Sequence, residues 1–169
     1  MHAAFLGFLW CFARLFVRSP SGRNRFNVLG ALHATCQRLV TVCNTGYINS
    51  QSVCELLTKI AAQAMGVPIT VVLDNARYQR CALVFATAQA LGIELLFLPS
   101  YSPNLNLIER LWKFVKKKAL YSKYHATFAD FKQAISEVLD HTASTYQDEL
   151  RSLLTLKFQT FKRSQIMTV

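Results

Sequence analysis

The chain has 169 residues and carries 19 lysines and arginines against 9 aspartates and glutamates, which gives a net charge of +10. Its hydrophobic content of 52% and charged content of 17% exclude a disordered polymer and are typical of a globular α/β protein. The length is that of one domain, large enough to bury a core without disulfides or a structural metal.

The positive charge is distributed unevenly along the chain. Residues 1–73 have six basic and one acidic side chain, residues 74–126 have eight and three, and residues 127–169 have five and five. This excess favours a polyanionic partner, above all a nucleic acid. The alternative is a basic surface that serves only solubility.

The N-terminal apolar stretch AAFLGFLWCF, residues 3–12, has the composition of a membrane segment or signal peptide. However, no basic region precedes it, and Arg14 interrupts it well short of the roughly 20 apolar residues that a membrane span needs. We therefore expect no membrane association and predict a buried strand or its edge, in which Trp10, Phe12 and Phe16 alternate as in a half-buried strand. The five cysteines form no C-x-x-C pair, which favours reduced thiols in a cytoplasmic protein over disulfides or zinc.

Two further strands, at residues 26–34 and 38–44, are predicted to complete an antiparallel meander. A helix follows, because Ser52 and Glu55 have the spacing of a capping box, although it could begin one turn earlier at Asn49 or Ser50. Gly66 and Pro68 are expected to end this helix.

A β-α-β unit is predicted next. The continuous apolar run Ile69–Leu73 is typical of a strand buried on both faces. Residues 79–91 form the crossover helix, Gly92 closes it, and residues 93–98 form a parallel strand. Asp74 then lies at the carboxyl end of the first strand, where open α/β sheets bind their ligands.

The last part of the chain is predicted to be helical. Asn106 is a helix N-cap, and Glu109 lies in the first turn of a basic amphipathic helix. Thr127 and Asp130 begin another helix, and a final helical piece contains Leu150. The apolar face of the first of these helices is formed by Ile108, Leu111, Trp112, Val115 and Ala119.

Asp74 and Glu109 each have a structural interpretation. Asp74 could be a turn residue, and Glu109 could complete a capping box with Asn106. Their positions differ by 35 (109 − 74 = 35), so 34 residues lie between them, which is room for one β-α-β unit. The two carboxylates can therefore converge at one edge of the sheet, and carboxylate oxygens are ligands that Mg²⁺ prefers.

The motifs LDNARYQR and LPSYSPNLNLIERLWKFVKK resemble the catalytic half of a DDE transposase, from the bacterial insertion-sequence branch of the mariner-type superfamily. The resemblance implies an α/β domain over residues 1–160, a ribonuclease H-like mixed sheet flanked by helices, followed by a tail at 161–169. It also implies that Asp74 and Glu109 are the second and third acids of a catalytic triad that binds two Mg²⁺ or Mn²⁺ ions. The expected activity is cleavage and strand transfer in DNA transposition.

The first aspartate of that triad has no counterpart, because residues 1–73 contain no aspartate and Glu55 is their only acid. By the resemblance, the first strand is largely missing, as in a transposase that is truncated or whose start was placed too late. We therefore expect the chain as written to be inactive. The alternatives are a non-catalytic DNA-binding relic that interferes with a full-length transposase, and a different ribonuclease H-like nuclease.

The expected partners follow from the same resemblance: transposon-end and target DNA, with a second copy or a full-length transposase as protein partner, in a bacterial cytoplasm and on the nucleoid when DNA is bound. The alternative for the basic side chains is a merely solvated surface. The candidates for contact with phosphates are Arg110, Lys113, Lys116, Lys117 and Lys118, with Arg23, Arg25 and Arg77 as weaker ones.

Overall fold

A computed structural model describes residues 10–14, 16, 24–63, 66–99 and 105–157 of the chain. In these ranges a pair of strands is followed by a helix, a β-α-β unit and three further helices. The elements are β1 (Asn27–Leu32), β2 (Leu39–Asn44), α1 (Ser50–Gln63), β3 (Ile69–Leu73), a 3₁₀ turn (Arg77–Gln79), α2 (Ala82–Ala90), β4 (Ile93–Phe97), α3 (Leu107–Ala119), α4 (Phe128–Asp140) and α5 (Gln147–Leu153).

Strands β1 and β2 form an antiparallel hairpin in which Asn27 is opposite Asn44 and Leu32 is opposite Leu39. The predicted antiparallel pairing of these strands is therefore confirmed. The Asn27 side chain donates hydrogen bonds to Oδ1 of Asn44 (2.9 Å) and to the carbonyl of Gly46 (2.7 Å), which fastens the open end of the hairpin.

Helix α1 begins at Ser50, because the side chain of Asn49 accepts a hydrogen bond from the backbone N–H of Ser52 at 3.0 Å. The earlier of the two expected starts is thus confirmed, and the capping box of Ser52 with Glu55 is wrong. Since Asn49 takes the capping role, Glu55 lies in the second turn. There it pairs with Lys59 at 3.0 Å on the exposed face of the helix.

Strands β3 and β4 are parallel, with Ile69 opposite Ile93 and Leu73 opposite Phe97, as the sequence predicts. The expected continuous crossover helix is divided in two, because the backbone is extended at Cys81 between the 3₁₀ turn and α2. Gly92 follows α2 with a φ of +66°, a conformation that a glycine adopts without strain.

The prediction that β3 is buried on both faces is wrong. Ile69, Val71 and Leu73 pack inward, whereas Thr70 and Val72 are exposed, Val72 by 46%. Leu96, which is opposite Val72 on β4, is also exposed, by 52%. The physical reason is that α1 and α2 cover one face of this strand pair, and no described element covers the other.

The predicted N-terminal strand is also not found in the residues that the structure describes there. Residues 10–14 and 16 have no strand conformation, and Trp10, Phe12 and Phe16 are exposed. A strand is stable only when a neighbouring strand pairs with its backbone N–H and C=O groups, and the alternation of aromatic side chains does not supply that pairing. The remainder of this prediction lies outside the described residues.

The buried apolar side chains form two clusters, and β1 contributes to both. The first cluster joins α3, α4 and α5 and includes contacts from Val28 and Leu32. The second joins α1, α2 and β4 and includes a contact from Leu29. Successive residues of a strand point to opposite faces, so β1 lies between the two clusters. None of the described helices is both long and apolar enough to cross a membrane.

Candidate active site

Asp74 directly follows the last residue of β3. The N–H of Leu98 donates the last hydrogen bond of this ladder to the carbonyl of Leu73, and the chain then passes through Ala76 into the 3₁₀ turn. The Asp74 side chain is exposed. Among the described residues its carboxylate has no hydrogen-bond or ion-pair partner, so it is available to a cation or a ligand.

Tyr78 lies close to Asp74 and is not among the site residues predicted from the sequence. Burial raises the pKa of the Tyr78 phenol, the negative charge of Asp74 raises it further, and a hydrogen bond involving Gln79 opposes both. Tyr78 is therefore a neutral hydrogen-bonding group beside the acid. The signal that could have identified it is its place in the motif LDNARYQR, four residues after Asp74.

Glu109 lies in the first turn of α3, and its side chain is exposed. The side chain of Asn106 caps the helix by accepting a hydrogen bond from the N–H of Ile108 at 3.3 Å. Within the described ranges the Glu109 carboxylate forms no hydrogen bond, so it does not complete the capping box that its spacing would allow. The positive end of the helix dipole favours an acid at this position.

Helix α3 is held against β1 by a close contact at Gly30. A Cβ atom added to Gly30 would lie 2.8 Å from Cη2 of Trp112 and 3.3 Å from Cδ1 of Ile108. Only a glycine allows the indole ring this close to β1. The contact fixes the height of α3 over the strand and therefore the position of Glu109, which lies one residue beyond Ile108.

Arg110, which is predicted to contact phosphate, binds backbone carbonyls of the protein itself. Its guanidinium donates hydrogen bonds to the carbonyls of Thr155 (2.9 Å), Lys157 (3.3 Å) and Leu153 (3.4 Å). The partners lie 43 to 47 residues further along the chain. Arg110 thus fastens α3 to the end of α5 and to the segment after it.

Lys118 also connects α3 with α5. Its ammonium group lies 2.7 Å from Glu149 and over the rings of Phe114 and Tyr146, with 5.4 Å and 5.3 Å to the ring centroids. In contrast, the other candidate lysines of α3 are exposed and form no ion pair with any described residue. They are Lys113, Lys116 and Lys117.

The weaker candidates lie apart from α3. The guanidinium of Arg25 lies over the ring of Tyr47, 4.6 Å from its centroid, and Arg77 is exposed in the 3₁₀ turn. Arg23 lies outside the described residues.

The carboxylates of Asp74 and Glu109 are of the type that binds a divalent cation, but they are fewer than a two-ion site needs. Asp74 and Glu109 supply the hard oxygen ligands that Mg²⁺ and Mn²⁺ bind, and one such ion is commonly held by one or two carboxylates with waters and a substrate phosphate. Among the described residues there is no group of three histidines, cysteines, aspartates or glutamates that could hold a metal. By type each of these carboxylates can ligate a divalent ion, and among the described residues the two do not by themselves make up the ligand set of a two-ion site.

A family model described as DDE superfamily endonuclease matches residues 13–132, which is more than half of the chain. The chain therefore belongs to this family of DDE endonucleases. The match includes Asp74 and Glu109 and ends within α4, before α5 begins. Among curated proteins, none matches the chain.

Proposed function

We propose that this chain is the catalytic domain of an insertion-sequence transposase with a ribonuclease H-like fold, whose reaction is the cleavage and joining of DNA phosphodiesters. Membership of the DDE endonuclease family supports the chemistry. The observation that carries the proposal is that Asp74 and Glu109 lie at the end of β3 and the start of α3, both exposed and both without a structural partner in the described residues.

The two carboxylates have a common role in this proposal. Asp74 and Glu109 hold a Mg²⁺ or Mn²⁺ ion, which would activate the attacking hydroxyl or water and stabilise charge on the leaving oxygen. Lys113, Lys116 and Lys117 contact the phosphate backbone, which positions DNA without reading its sequence. Tyr78 offers a neutral hydrogen-bonding group next to Asp74.

The chain as written is proposed to cleave DNA poorly, because a two-ion site needs a further acid. Glu55 does not supply it, since it is paired with Lys59 on the exposed face of α1. With a ligand missing, we expect a loss of roughly 10²- to 10⁴-fold in rate. A neutral oxygen from Asn75 or water does not replace the missing negative charge.

The test is a cleavage and strand-transfer assay with Mg²⁺ or Mn²⁺ on a pre-nicked transposon-end duplex. It compares this chain with a version that has an aspartate-bearing strand added before Met1. We expect activity in the extended version only, and Asp74→Asn and Glu109→Gln should each abolish it while DNA affinity is retained. Full activity of the extended protein with either acid removed would refute the assigned roles.

The second candidate is a DNA-binding protein without catalysis, which acts by occupying the DNA or the subunit interface of a full-length transposase. Lys113, Lys116 and Lys117 favour it, because they are exposed and form no ion pair with any residue in the described ranges. Duplex binding should then show a log–log salt slope of about −0.9 per phosphate contact and little sequence preference. If the extended version is also inactive but this slope is observed, the second candidate replaces the first.

A further inference from the structure

We propose that α5 forms the second wall of a DNA-backbone groove whose first wall is α3. This inference rests on the proposed function and deepens it, because α5 (Gln147–Leu153) lies beyond residues 13–132, which the family matches. An open groove separates the two helices. It is lined by Lys113 and Lys117 from α3 and by Glu149 and Ser152 from α5, with Phe114 at its base.

The charge of this groove favours a polyanion. Glu149 is the acid in its lining, and Lys118 neutralises that carboxylate from 2.7 Å. Lys113 and Lys117 are exposed and have no ion-pair partner among the described residues. Arg110, which also lines the groove, keeps its positive charge while it donates to backbone carbonyls. The groove therefore presents two exposed lysines beside one acid that is already paired.

The walls of the groove are fixed relative to each other. Arg110 binds the backbone at the end of α5, and Lys118 reaches from α3 to Glu149 across the rings of Phe114 and Tyr146. Because the separation of the walls is fixed, a DNA backbone can enter the groove without first ordering either helix. This lowers the entropy cost of binding.

The arrangement of the cations favours a row of phosphates over a single carboxylate. Lys113 and Lys117 are four residues apart, so their Cβ atoms lie about 5–6 Å from each other on one face of α3. Ser152 on the opposite wall is small, and its hydroxyl donates to the carbonyl of Glu149 at 2.8 Å. A phosphodiester chain can thus follow the lysines and approach α5 closely at Ser152.

The test changes the charge of α5 inside and outside the groove. Ser152→Glu should weaken binding of a random-sequence duplex roughly three- to tenfold, and Ser152→Lys should tighten it by a similar factor. The matched controls are Gln147→Glu and Gln147→Lys, which make the same charge changes on the same helix at an exposed position outside the groove. These controls should alter affinity less than twofold.

The outcomes separate this inference from the proposed function. If Lys113→Gln and Lys117→Gln each reduce the salt slope by about 1 while the Ser152 and Gln147 variants behave alike, DNA binding by α3 stands and the role of α5 is refuted. If the lysine variants have no effect, the proposed DNA contact of α3 fails too.

If polyglutamate of equal charge competes as well as DNA, the groove is specific for charge alone and the assignment to a phosphodiester backbone is overturned. The use of Ser152→Lys keeps the test valid if a glutamate near the end of α5 destabilises the helix.

Discussion

At the scale of single residues, Tyr78 reports on the charge of Asp74. Burial, and after it the negative charge of Asp74, raises the pKa of the phenol above its usual value of 10.0. The folded protein therefore keeps this proton at a pH where the unfolded chain releases it. The corresponding stability is fully present below pH 10.0 and is lost as the pH rises through the pKa of the folded state.

The first prediction is that Asp74→Asn lowers the pKa of Tyr78, because it removes a negative charge that opposes the phenolate. An alkaline titration followed by phenolate absorbance measures the effect, and Tyr78→Phe identifies which part of the signal belongs to this residue. Glu109→Gln serves as the control with the same loss of charge and should leave the titration unchanged if Tyr78 responds to Asp74 alone. An identical pKa in Asp74→Asn would show that the two side chains are not coupled.

A second prediction concerns Gly30. Gly30→Ala places a methyl group 2.8 Å from the indole of Trp112, so α3 must shift or the ring must leave its position. Overpacking of this kind costs about 1–3 kcal/mol, which urea unfolding measures. Gly46→Ala is the control, because a Cβ at Gly46 meets nothing within 4 Å. Equal stability of the two variants would contradict the close contact.

At the scale of elements, the position of α3 is set from two sides. The Gly30 contact holds it against β1, and the hydrogen bonds of Arg110 hold it to the segment after α5. Glu109 lies between these two attachments in sequence, next to Arg110 and one residue after Ile108. The helix that carries a proposed metal ligand is thus fastened close to that ligand.

The third prediction is that Arg110→Met loosens the segment formed by residues 153–157. Three backbone carbonyls lose a charged donor, and a partly exposed interaction of this kind contributes about 1–3 kcal/mol. Thermal unfolding measures the loss of stability, and limited proteolysis measures the exposure of the segment. Lys116→Met removes the same charge from an exposed position of α3 and should change neither. Protease resistance equal to that of the unchanged chain would contradict the role of Arg110.

Most elements could be predicted because their signals are local. The apolar periodicity of α3 and its Asn106 cap lie within 14 residues of chain, and the parallel pairing of β3 with β4 follows from a short crossover. The exposed face of β3 could not be predicted, because a continuous apolar run looks the same whether one face is covered or two. The same holds for Trp10 and Phe12, since alternation does not show whether a partner strand is present.

For the candidate site, the positions of Asp74 and Glu109 at element ends could be predicted from the strand and the cap beside them. Their convergence on one metal ion stays a prediction. The engagement of Arg110 and Lys118 could not be found in the sequence, because their partners on α5 and beyond lie more than 30 residues away. A lysine on an exposed helix and one that bridges to a second helix have the same local pattern.

At the scale of the whole molecule, the two apolar clusters contain different buried residues, and both are contacted by residues of β1. Leu111 is fully buried in the first cluster, and Leu57 is 1% exposed in the second. Removing either side chain leaves a cavity in a different part of the protein. Each cluster contributes stability that the other cannot replace.

The fourth prediction is that Leu111→Ala and Leu57→Ala each lower the stability of the entire domain by about 2–5 kcal/mol. Urea unfolding should remain a single transition in both variants, with the same midpoint by circular dichroism and by tryptophan fluorescence. Thr58→Ala, at an exposed position beside Leu57, is the control and should cost far less. Two resolved transitions in either variant would show that the clusters unfold independently.

The position of β1 between the clusters determines how the protein opens. Val28 faces one cluster and Leu29 faces the other, so neither can be exposed without disturbing the strand that both use. The β1 amide protons that are hydrogen-bonded to β2 should then exchange with solvent mainly when the whole domain unfolds, whereas those of α5 exchange through local fraying. We therefore expect a six-residue strand with only intermediate burial to couple the folding of the two cores.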